Sequence, residues 1–274
     1  MNIARALTLA AMGGITRLDA QLLLLHVLGR PANDRAWLIA HDDDTVDSDI
    51  LMPFDKLCRR RAAGEPVAYL VGHKEFFGLD LAVDARVLVP RPETETLVGW
   101  ALEVLKDLQA PSVVDLGTGS GAIALAIAKA RPDAHVTAVD RSKGAVAVAS
   151  SNAQRLGLAV DVREGNWLEG LGRFDLVVSN PPYVAEGDPH LSSLHAEPLS
   201  ALAAGVDGLA DFRRIVRKAQ DHVAPGGWLL LEHGWNQAAA VRDLLGAAGF
   251  GAVASRDDLA GIARCTGGTR VEQG

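Results

Sequence analysis

From Pro111 to the C-terminus, short apolar runs alternate with longer alanine-rich segments, and this alternation constrains the fold more than any other feature of the chain. The runs have strand length and the segments have helical length, a pattern typical of a parallel sheet with helices on both faces. The expected helices include Ala122–Ala130 and Lys143–Leu156. The expected strands are Ser112–Leu116, 135–139, 159–163, Phe174–Ser179 and 228–232, with weaker ones near 251–255 and the C-terminus.

The first strand ends in a glycine turn, residues 117–121, which follows Asp115-Leu116 and reads Gly117-Thr118-Gly119-Ser120-Gly121. Glycines allow a tight turn and close approach of a ligand to the backbone, and the helix that follows begins with free N–H groups. Asp140 ends the next strand about 20 residues later, where a carboxylate can accept hydrogen bonds from both ribose hydroxyls. The turn and Asp140 together predict a cofactor that contains a nucleoside.

The glycines alone leave the identity of the cofactor open, because Gly117, Gly119 and Ala122 also satisfy the looser dinucleotide-binding pattern. Asp115 and the compact glycine spacing instead resemble the class I S-adenosylmethionine-dependent methyltransferases, in which this turn lies against the methionine part of the cofactor. That resemblance places Asn166 and Trp167, just after the third strand, beside the adenine. Trp167 fits a half-buried packing role equally well.

The fourth strand stops at the 180–183 loop, Asn180-Pro181-Pro182-Tyr183. Proline cannot extend a sheet ladder and holds the preceding residue extended, so the loop should be stiff and Asn180 well oriented. The Asn180 side-chain oxygen and the carbonyls around Pro181 can accept hydrogen bonds from a planar NH2 group, and Tyr183 adds a flat wall. The tetrapeptide alone is equally compatible with an ordinary turn. Beside the glycine turn, it favours a methyltransferase over a dehydrogenase.

The part of the chain before the alternating region has a different pattern. Residues 1–72 predict a helical domain, in which Thr16 is a plausible N-cap and a later helix spans 50–63. Apolar residues alternate between 75 and 89, which indicates a β-hairpin, and residues 73–92 are interpreted as a linker. Residues 93–274 are interpreted as the methyltransferase domain.

Composition excludes several classes of function. The formal net charge of −7 argues against a broad nucleic-acid-binding surface, which needs clustered Lys and Arg. Cys58 and Cys265 lack metal-ligand spacing, and the histidines form no ligand cluster, so no metal is expected. The N-terminus is too weakly apolar for a signal peptide, and no run has membrane-spanning length. We therefore expect a cytoplasmic protein without stable membrane or nucleic-acid contacts.

Further segments resemble the protein-(glutamine-N5) methyltransferases that modify peptide-chain release factors. The tetrapeptide of the 180–183 loop also occurs in N6-adenine methyltransferases, whereas its combination with segment 90–95 and a helical N-terminal domain is more specific. The shared segments, beside the motifs above, are 64–72, Pro90-Arg91-Pro92-Glu93-Thr94-Glu95, Asp188-Pro189-His190-Leu191, Glu197-Pro198, Ala201-Leu202 and Asp207-Gly208-Leu209.

The resemblance implies the class I S-adenosylmethionine-dependent methyltransferase fold. This α/β fold is Rossmann-like and doubly wound, with a mainly parallel seven-stranded sheet, here joined by a β-hairpin linker to a small N-terminal helical domain. The methyl donor would be S-adenosyl-L-methionine and the product S-adenosyl-L-homocysteine. The substrate would be the Gln of the Gly-Gly-Gln motif in class I release factors, which the helical domain would help to hold. We expect a monomer.

Site residues follow from the same resemblance. Asn180, Pro181 and Tyr183 are expected to be catalytic, because the Asn180 oxygen and the Pro181 carbonyl would orient the NH2 group while Tyr183 packs against the flat amide. Pro182 joins these three in contacting the substrate. The expected cofactor-binding residues are Asp115, Gly117, Thr118, Gly119, Ser120, Gly121, Asp140, Trp167 and Asn180.

Other interpretations stay open from the sequence. The NH2 group could belong to adenine or guanine in nucleic acid, or to a glutamine of a large-subunit ribosomal protein, and the segment 188–191 favours release factors over the latter. The chain could also bind a cofactor and a partner without catalysis. Arg91 and Glu95 are placed at the domain junction, and Glu197 there or in the substrate channel. One departure from the family pattern is that no acidic residue directly precedes Arg264.

Overall fold

The computed structural model describes residues 1–271, which divide into two compact units. The first comprises Met1–His73 together with Ser193–Ala196, and the second comprises Lys74–Ser192 and the chain from Glu197 onward. The sequence pattern instead predicts 193–196 within the methyltransferase domain, residues 93–274, the last three of which lie outside the described part of the chain.

The first unit is helical. Thr16 caps α2 as the sequence predicts, since its Oγ1 accepts a hydrogen bond from Asp19 N at 3.1 Å. Leu23, Leu24 and Leu25 of α2 are fully buried in the core of this unit. The helices are α1 (Ile3–Met12), α2 (Arg17–Val27), α3 (Arg35–Ala40), α4 (Ser48–Ala62) and α5 (Val67–Val71).

The hairpin is shorter than the apolar alternation predicts. Its strands are β1 (His73–Phe76) and β2 (Leu79–Ala82), whereas the predicted β pattern continues to Val89. The backbone leaves the strand conformation at a turn in which Val87 N donates a hydrogen bond to Asp84 O at 3.1 Å. Val83, Val87 and Val89 are still buried, so alternating burial in this segment comes from a packed loop and not from a sheet.

The rest of the second unit is a seven-stranded sheet within residues 112–270, in the order β5-β4-β3-β6-β7-β9-β8. The five strands from β5 to β7 are parallel, and β9 is antiparallel to both of its neighbours. The strands are β3 (Ser112–Leu116), β4 (His135–Asp140), β5 (Val160–Glu164), β6 (Phe174–Ser179), β7 (Val223–Glu232), β8 (Phe250–Asp257) and β9 (Ala263–Arg270).

Helices cover both faces of this sheet, as the doubly wound prediction requires. α6 and α7 pack on one face, where Leu97, Val98 and Ile127 are buried. α9 and α10 pack on the other, where Phe212 and Val241 are fully buried. The helices are α6 (Thr94–Leu105), α7 (Ala122–Ala130), α8 (Lys143–Leu156), α9 (Ala210–His222) and α10 (Ala238–Ala247).

β7 is the strand whose start the sequence predicts least well, since it begins at Val223 and not at residue 228. Its first half contains Pro225-Gly226-Gly227, residues that normally break strands. The ladder tolerates them because the register with β6 shifts between Phe174 and Leu176. An irregularity of this kind accommodates extra residues in one strand.

The buried side chain of Asn152 on α8 joins the hairpin to the glycine turn. Its Nδ2 donates to Ala82 O at 3.0 Å and to Ser120 O at 2.9 Å. Its Oδ1 accepts from Ala82 N at 2.8 Å. Because Asn152 is fully buried, these backbone groups cannot turn to water instead.

We expect Asn152→Ala to lower the free energy of unfolding by about 3 kcal/mol or more, since it leaves buried backbone groups without partners. Urea denaturation of the purified protein measures this loss. Gln154→Ala, at an exposed position of the same helix, is the matched control and should cost less than about 0.5 kcal/mol. Equal stability of the two variants would contradict the assigned role of Asn152.

Candidate active site

A cavity of about 290 Å³ opens in the second unit at the carboxyl ends of β3, β4 and β6. Ligands of open α/β sheets bind at this edge, where the strand order reverses. Segments 85–88 and 198–201 complete its wall. Of the residues proposed from the sequence, the cavity is lined by Gly117, Gly119, Asp140, Trp167, Asn180 and Pro182. The others, Asp115, Thr118, Ser120, Gly121, Pro181 and Tyr183, lie outside its lining.

The glycine turn is anchored to the neighbouring strand. The backbone N–H groups of Gly117 and Thr118 both donate to Val139 O, at 2.8 and 3.0 Å. Gly121 has φ +85°, and a Cβ at this position would lie 2.9 Å from Leu125 Cδ1. Glycine is therefore required where the turn enters α7.

Asp115 supports the turn from beneath. It is fully buried, and its Oδ2 accepts from Thr118 Oγ1 at 2.6 Å and from Ala124 N at 3.3 Å. Its Oδ1 has no hydrogen-bond partner among the residues that the structure describes. Burial, partly offset by the Thr118 and Ala124 hydrogen bonds, raises the pKa of the Asp115 carboxyl to about 7.

Asp140 stands at the cavity edge in a fixed orientation. Its Oδ2 accepts from Gly119 N at 3.0 Å, and its Oδ1 accepts from Ser142 N at 2.8 Å. Ser142 in turn caps α8 by accepting from Ala145 N at 3.3 Å. A carboxylate oxygen has two lone pairs, so each oxygen of Asp140 can still accept a hydrogen bond from a ligand hydroxyl.

Trp167 forms the wall opposite the glycine turn. Its backbone has φ +54°, and its ring lies against Gly117, where a Cβ would be 3.4 Å from Trp167 Cζ3. The ring also packs against the core on the α9 side of the sheet. Trp167 therefore packs against the core and also lines the cavity, and its contact with the adenine stays a prediction. Asn166 lines the cavity too, and its Nδ2 donates to Glu169 Oε1 at 3.1 Å.

Asn180 is held from behind by α6 and β7. Its Nδ2 donates to Thr94 Oγ1 at 3.2 Å, and Thr94 is 4% exposed. Glu232, the last residue of β7, is 1% exposed and is the neighbour of Asn180 across the two strand ends, because Leu231 pairs with Ser179. Pro181 and Pro182 are buried as well, so the loop has few ways to move.

Tyr183 is fixed mainly through its backbone. Its N–H donates to Leu202 O at 3.1 Å, and its carbonyl accepts from Gln237 Nε2 at 3.0 Å. Gln237 also accepts from Gly234 N at 2.9 Å. A Cβ at position 208 would clash with the Tyr183 carbonyl, which explains Gly208. Burial raises the pKa of the Tyr183 phenol to about 12, so it is neutral at physiological pH.

Three residues whose roles the sequence left open make contacts within the second unit: Arg91, Glu95 and Glu197. Glu197 is buried, and its carboxylate accepts from Arg91 at 2.5 Å and from Val89 N at 3.1 Å. Glu95 Oε1 accepts from Phe77 N at 3.0 Å and so fixes the hairpin turn. Segment 188–191 falls in the short helix Pro189–Leu194, where the side chain of His190 is outside what the structure describes.

Arg264, which has no acidic residue directly before it, finds an acidic partner elsewhere in the C-terminal segment. Asp258 Oδ1 accepts from Ala260 N and Ile262 N at 2.8 and 3.1 Å. Its Oδ2 accepts from Arg264 Nε at 3.1 Å. Asp258 thus supplies an acidic partner for Arg264 from six residues upstream in the chain.

Sequence reasoning did not find Thr94, Asn152, Glu232 and Gln237, which hold the two motifs in place. Glu232 could have been found, because it ends a strand at the same edge as Asp140 and Asn180. The partners of Asn152 and Gln237 are distant in sequence, so no local spacing indicates them.

Within residues 1–271, no group of three or more His, Cys, Asp or Glu side chains is placed to hold a metal ion. None of the helices in that range is both long enough and apolar enough to cross a membrane.

Known proteins resemble the chain over almost its whole length. Family models described as the PrmC N-terminal domain and the methyltransferase small domain match residues 4–72 and 99–201. The release factor glutamine methyltransferase of Bordetella pertussis is 51% identical over 265 residues, which cover 95% of this chain and 97% of that protein.

Solved structures share the fold. A methyltransferase from Pyrococcus furiosus has a TM-score of 0.54 at 20% identity, over 78% of this chain and 98% of that one. A 16S rRNA methyltransferase from T. thermophilus, solved with AdoMet and guanosine, has a TM-score of 0.54 at 21% identity, over 72% of this chain and 49% of that one. At these identities the similarity concerns the fold alone.

The raised pKa of Asp115 predicts a pH-dependent stability. Between pH 3.8, its ordinary pKa, and about 7, the folded chain binds more protons at this carboxyl than the unfolded chain does. The free energy of unfolding should therefore fall as the pH rises through this window, by about 4 kcal/mol from this group. Asp115→Asn should remove that part of the fall.

Urea denaturation between pH 5 and pH 8 measures the slope for the parent and for Asp115→Asn. The exposed Asp161→Asn is the control and should keep the parent slope. If Asp115→Asn also kept that slope, the carboxyl would not be neutral in the folded protein.

Proposed function

The chain belongs to the release factor glutamine methyltransferases, and from this premise we propose how its residues perform the reaction. It is an S-adenosylmethionine-dependent methyltransferase that methylates a release-factor glutamine. The family does not favour the nucleic-acid or ribosomal-protein alternatives. We propose further that the methylated residue is the Gln of the Gly-Gly-Gln motif in class I release factors, and that the nitrogen modified is N5 of the side-chain amide.

The cavity suits the cofactor on two grounds. No heavy atom lies within 4 Å of the position that a Cβ on Gly119 would occupy, so the glycine turn borders open space there. Asp140 presents a carboxylate at the same cavity, as recognition of a ribose diol requires. S-adenosyl-L-methionine, when bound, supplies a methyl group on positively charged sulfur and leaves as S-adenosyl-L-homocysteine.

We propose different roles for the nine cofactor-site residues. Those that line the cavity contact the cofactor directly: Gly117, Gly119, Asp140, Trp167 and Asn180. Four residues outside the lining keep the glycine turn in shape. Asp115, Thr118 and Ser120 do so through hydrogen bonds, and Gly121 does so through its positive φ. The second group thus acts through the backbone that it holds.

The reacting nitrogen is a poor nucleophile, because its lone pair is delocalised into the amide carbonyl. In our proposal the Asn180 side-chain oxygen and the Pro181 carbonyl each accept a hydrogen bond from the glutamine NH2 group, which turns the lone pair toward the methyl group. Pro182 and Tyr183 contact the flat amide. As the nitrogen–carbon bond forms, the methyl–sulfur bond of the donor would break and leave S-adenosyl-L-homocysteine, and the nitrogen would release one of its two protons to water.

Orientation is the main catalytic contribution in this scheme. Accurate positioning can supply roughly 7–11 kcal/mol in favourable cases. It requires a loop that does not move, and the prolines together with the Gln237 contact to the Tyr183 carbonyl provide one. The observation that best supports the proposal is that Asn180 and Asp140, one for each ligand, line the same cavity.

The remaining proposals concern partners. We propose that the helical unit 1–72 contributes to binding the release factor, since the family model that it matches is shared with these enzymes. We propose a monomer without stable nucleic-acid binding, consistent with the net charge of −7. A cytoplasmic location would match a substrate that acts in translation and the two free cysteines, Cys58 and Cys265.

Asn180→Ala should leave cofactor affinity within a few-fold of the parent while lowering kcat by about 100-fold or more, as loss of a transition-state hydrogen bond does. The assay is transfer of labelled methyl groups to purified release factor at saturating substrate. Gln154→Ala is the control and should retain full activity. Full activity of Asn180→Ala would refute the proposed role.

The same labelling assay, run with three different methyl acceptors, tests the substrate assignment. Labelled cofactor is incubated with release factor, with release factor whose Gly-Gly-Gln glutamine is replaced, and with nucleic acid. We expect label on the first alone. Label on either of the others would overturn the assignment.

Asp140→Ala should weaken cofactor binding by about 10-fold or more, because hydrogen bonds to a charged group contribute about 1.5–3 kcal/mol. Isothermal titration calorimetry with S-adenosyl-L-homocysteine measures the Kd. The exposed Asp161→Ala, one strand away, is the control and should bind like the parent. Unchanged affinity of Asp140→Ala would exclude a direct contact.

A further inference from the structure

Glu232 is a buried acid that the mechanism above does not use. It ends β7 at the cavity edge of the sheet, one strand away from β6, whose end leads into Asn180. Only 1% of the residue is exposed, so it cannot contact a substrate. A buried carboxyl group is costly unless it has partners, and its position therefore requires an explanation.

The contacts of Glu232 lead to Asn180. Leu231 pairs with Ser179 in the parallel register, so Glu232 and Asn180, the next residues, are neighbours at the ends of two adjacent strands. The side chains of Thr94 and Asn180 both act to lower the pKa of the Glu232 carboxyl, and its Oε2 accepts no hydrogen bond from the residues that the structure describes. Asn180 Nδ2 also donates to Thr94 Oγ1 at 3.2 Å. Thr94, Asn180 and Glu232 thus form a small polar cluster, in which the NH2 end of the Asn180 amide faces Thr94 and the Glu232 carboxyl lies beside Asn180.

We propose that Glu232 is a positioning residue that, as a carboxylate, turns the NH2 end of the Asn180 amide inward and its oxygen toward the substrate nitrogen. This inference rests on the function proposed for Asn180. It assigns to Glu232 no direct contact with either substrate.

The two ends of an asparagine amide have nearly the same shape but opposite hydrogen-bonding character. If the amide were flipped, its oxygen would face the carboxylate, and two acceptors would be in contact without a proton between them. The NH2 end would then face the glutamine NH2 group, which needs an acceptor. An ionised Glu232 therefore selects the productive orientation.

The charge has a second effect. A negative charge behind the NH2 end polarises the Asn180 amide and increases the electron density on its oxygen, and hydrogen bonds in such chains strengthen one another. The substrate nitrogen becomes more positive as it attacks, so a stronger acceptor stabilises the transition state more than the ground state. An effect of this kind raises kcat and leaves substrate affinity largely unchanged.

The protonation state of Glu232 changes near neutral pH. Burial and the neighbouring Glu93 raise the pKa of the Glu232 carboxyl to about 7, against hydrogen bonds from Thr94 and Asn180 and the positive charge of Arg264. Two other neighbours, Tyr183 and Cys265, have raised pKa values and stay neutral there. The active, ionised form is therefore lost as the pH falls below this range.

The test is the isosteric Glu232→Gln variant, which keeps an acceptor oxygen but cannot ionise. We expect kcat at pH 8 to fall about 10- to 100-fold, the usual effect of removing a residue that orients a reacting group. The KM for release factor and the Kd for S-adenosyl-L-homocysteine should stay within about 3-fold of the parent. In the parent, kcat should rise with pH through about 7, and in the variant this rise should be absent.

Two comparisons complete the experiment. Glu103→Gln, an exposed glutamate paired with Arg256, should keep the parent kcat and pH profile. Thr94→Val, which removes the hydroxyl group from the cluster, should lower kcat in the same direction as Glu232→Gln but keep the pH-dependent rise. A purely structural role for Glu232 would change stability without removing that rise.

The outcomes separate the two levels of the proposal. A parent protein that transfers no label to release factor would refute the function itself. An active parent together with a Glu232→Gln variant of unchanged kcat, or of unchanged pH profile, would overturn the role of Glu232 alone.

Discussion

The site depends on the parallel register between β3 and β6, in which Leu116 is paired with Ser179. The residue after Leu116 begins the glycine turn, and the residue after Ser179 begins the 180–183 loop. Ser179 Oγ donates to Leu116 O at 2.7 Å in the fully buried core, which reinforces the pair. A slip of one residue would exchange the faces of the strand and separate the two segments, so burial of the apolar side chains enforces the geometry of catalysis.

Buried polar side chains then fix the loops that this register brings together. Asp115 supports the glycine turn, Gln237 holds the Tyr183 carbonyl, and Glu232 lies behind Asn180. Each acts on a backbone or side-chain group at the carboxyl edge of the sheet. Since a buried polar group is tolerated only when it is satisfied, these contacts also favour one conformation of each loop. Two of the three are acids whose pKa is raised to about 7, so the site combines rigidity with sensitivity to pH.

The sequence predicted the regular part of this arrangement well, for a physical reason. The predicted bounds of two strands and two helices match the observed bounds, because strong apolar patterning and clear turn residues define these elements. They are Ser112–Leu116, Phe174–Ser179, Ala122–Ala130 and Lys143–Leu156. The start of β7 is not predictable from the local pattern, because a register shift accommodates Pro225 and two glycines in that strand. The prediction of a strand at 83–89 is wrong, because a packed loop can alternate in burial as a strand does. In the site, the two ligand-facing motifs were identifiable from local spacing. Their supports, such as Asn152 and Gln237, are not, because long-range contacts leave no mark on a local pattern.

The Asn152 hydrogen bonds couple cofactor binding to the stability of the hairpin within the second unit. One amide group is hydrogen-bonded to both the glycine turn and the end of the hairpin, at Ser120 and Ala82. Any opening of the hairpin that displaces Asn152 also loosens the turn, and because coupling is reciprocal, whatever stabilises the turn also stabilises the hairpin, by the coupling free energy between the two. Segment 85–88, which forms part of the cavity wall, begins just after that attachment point. Cofactor occupancy is thereby linked to slow amide hydrogen exchange in a strand pair that does not itself line the cavity.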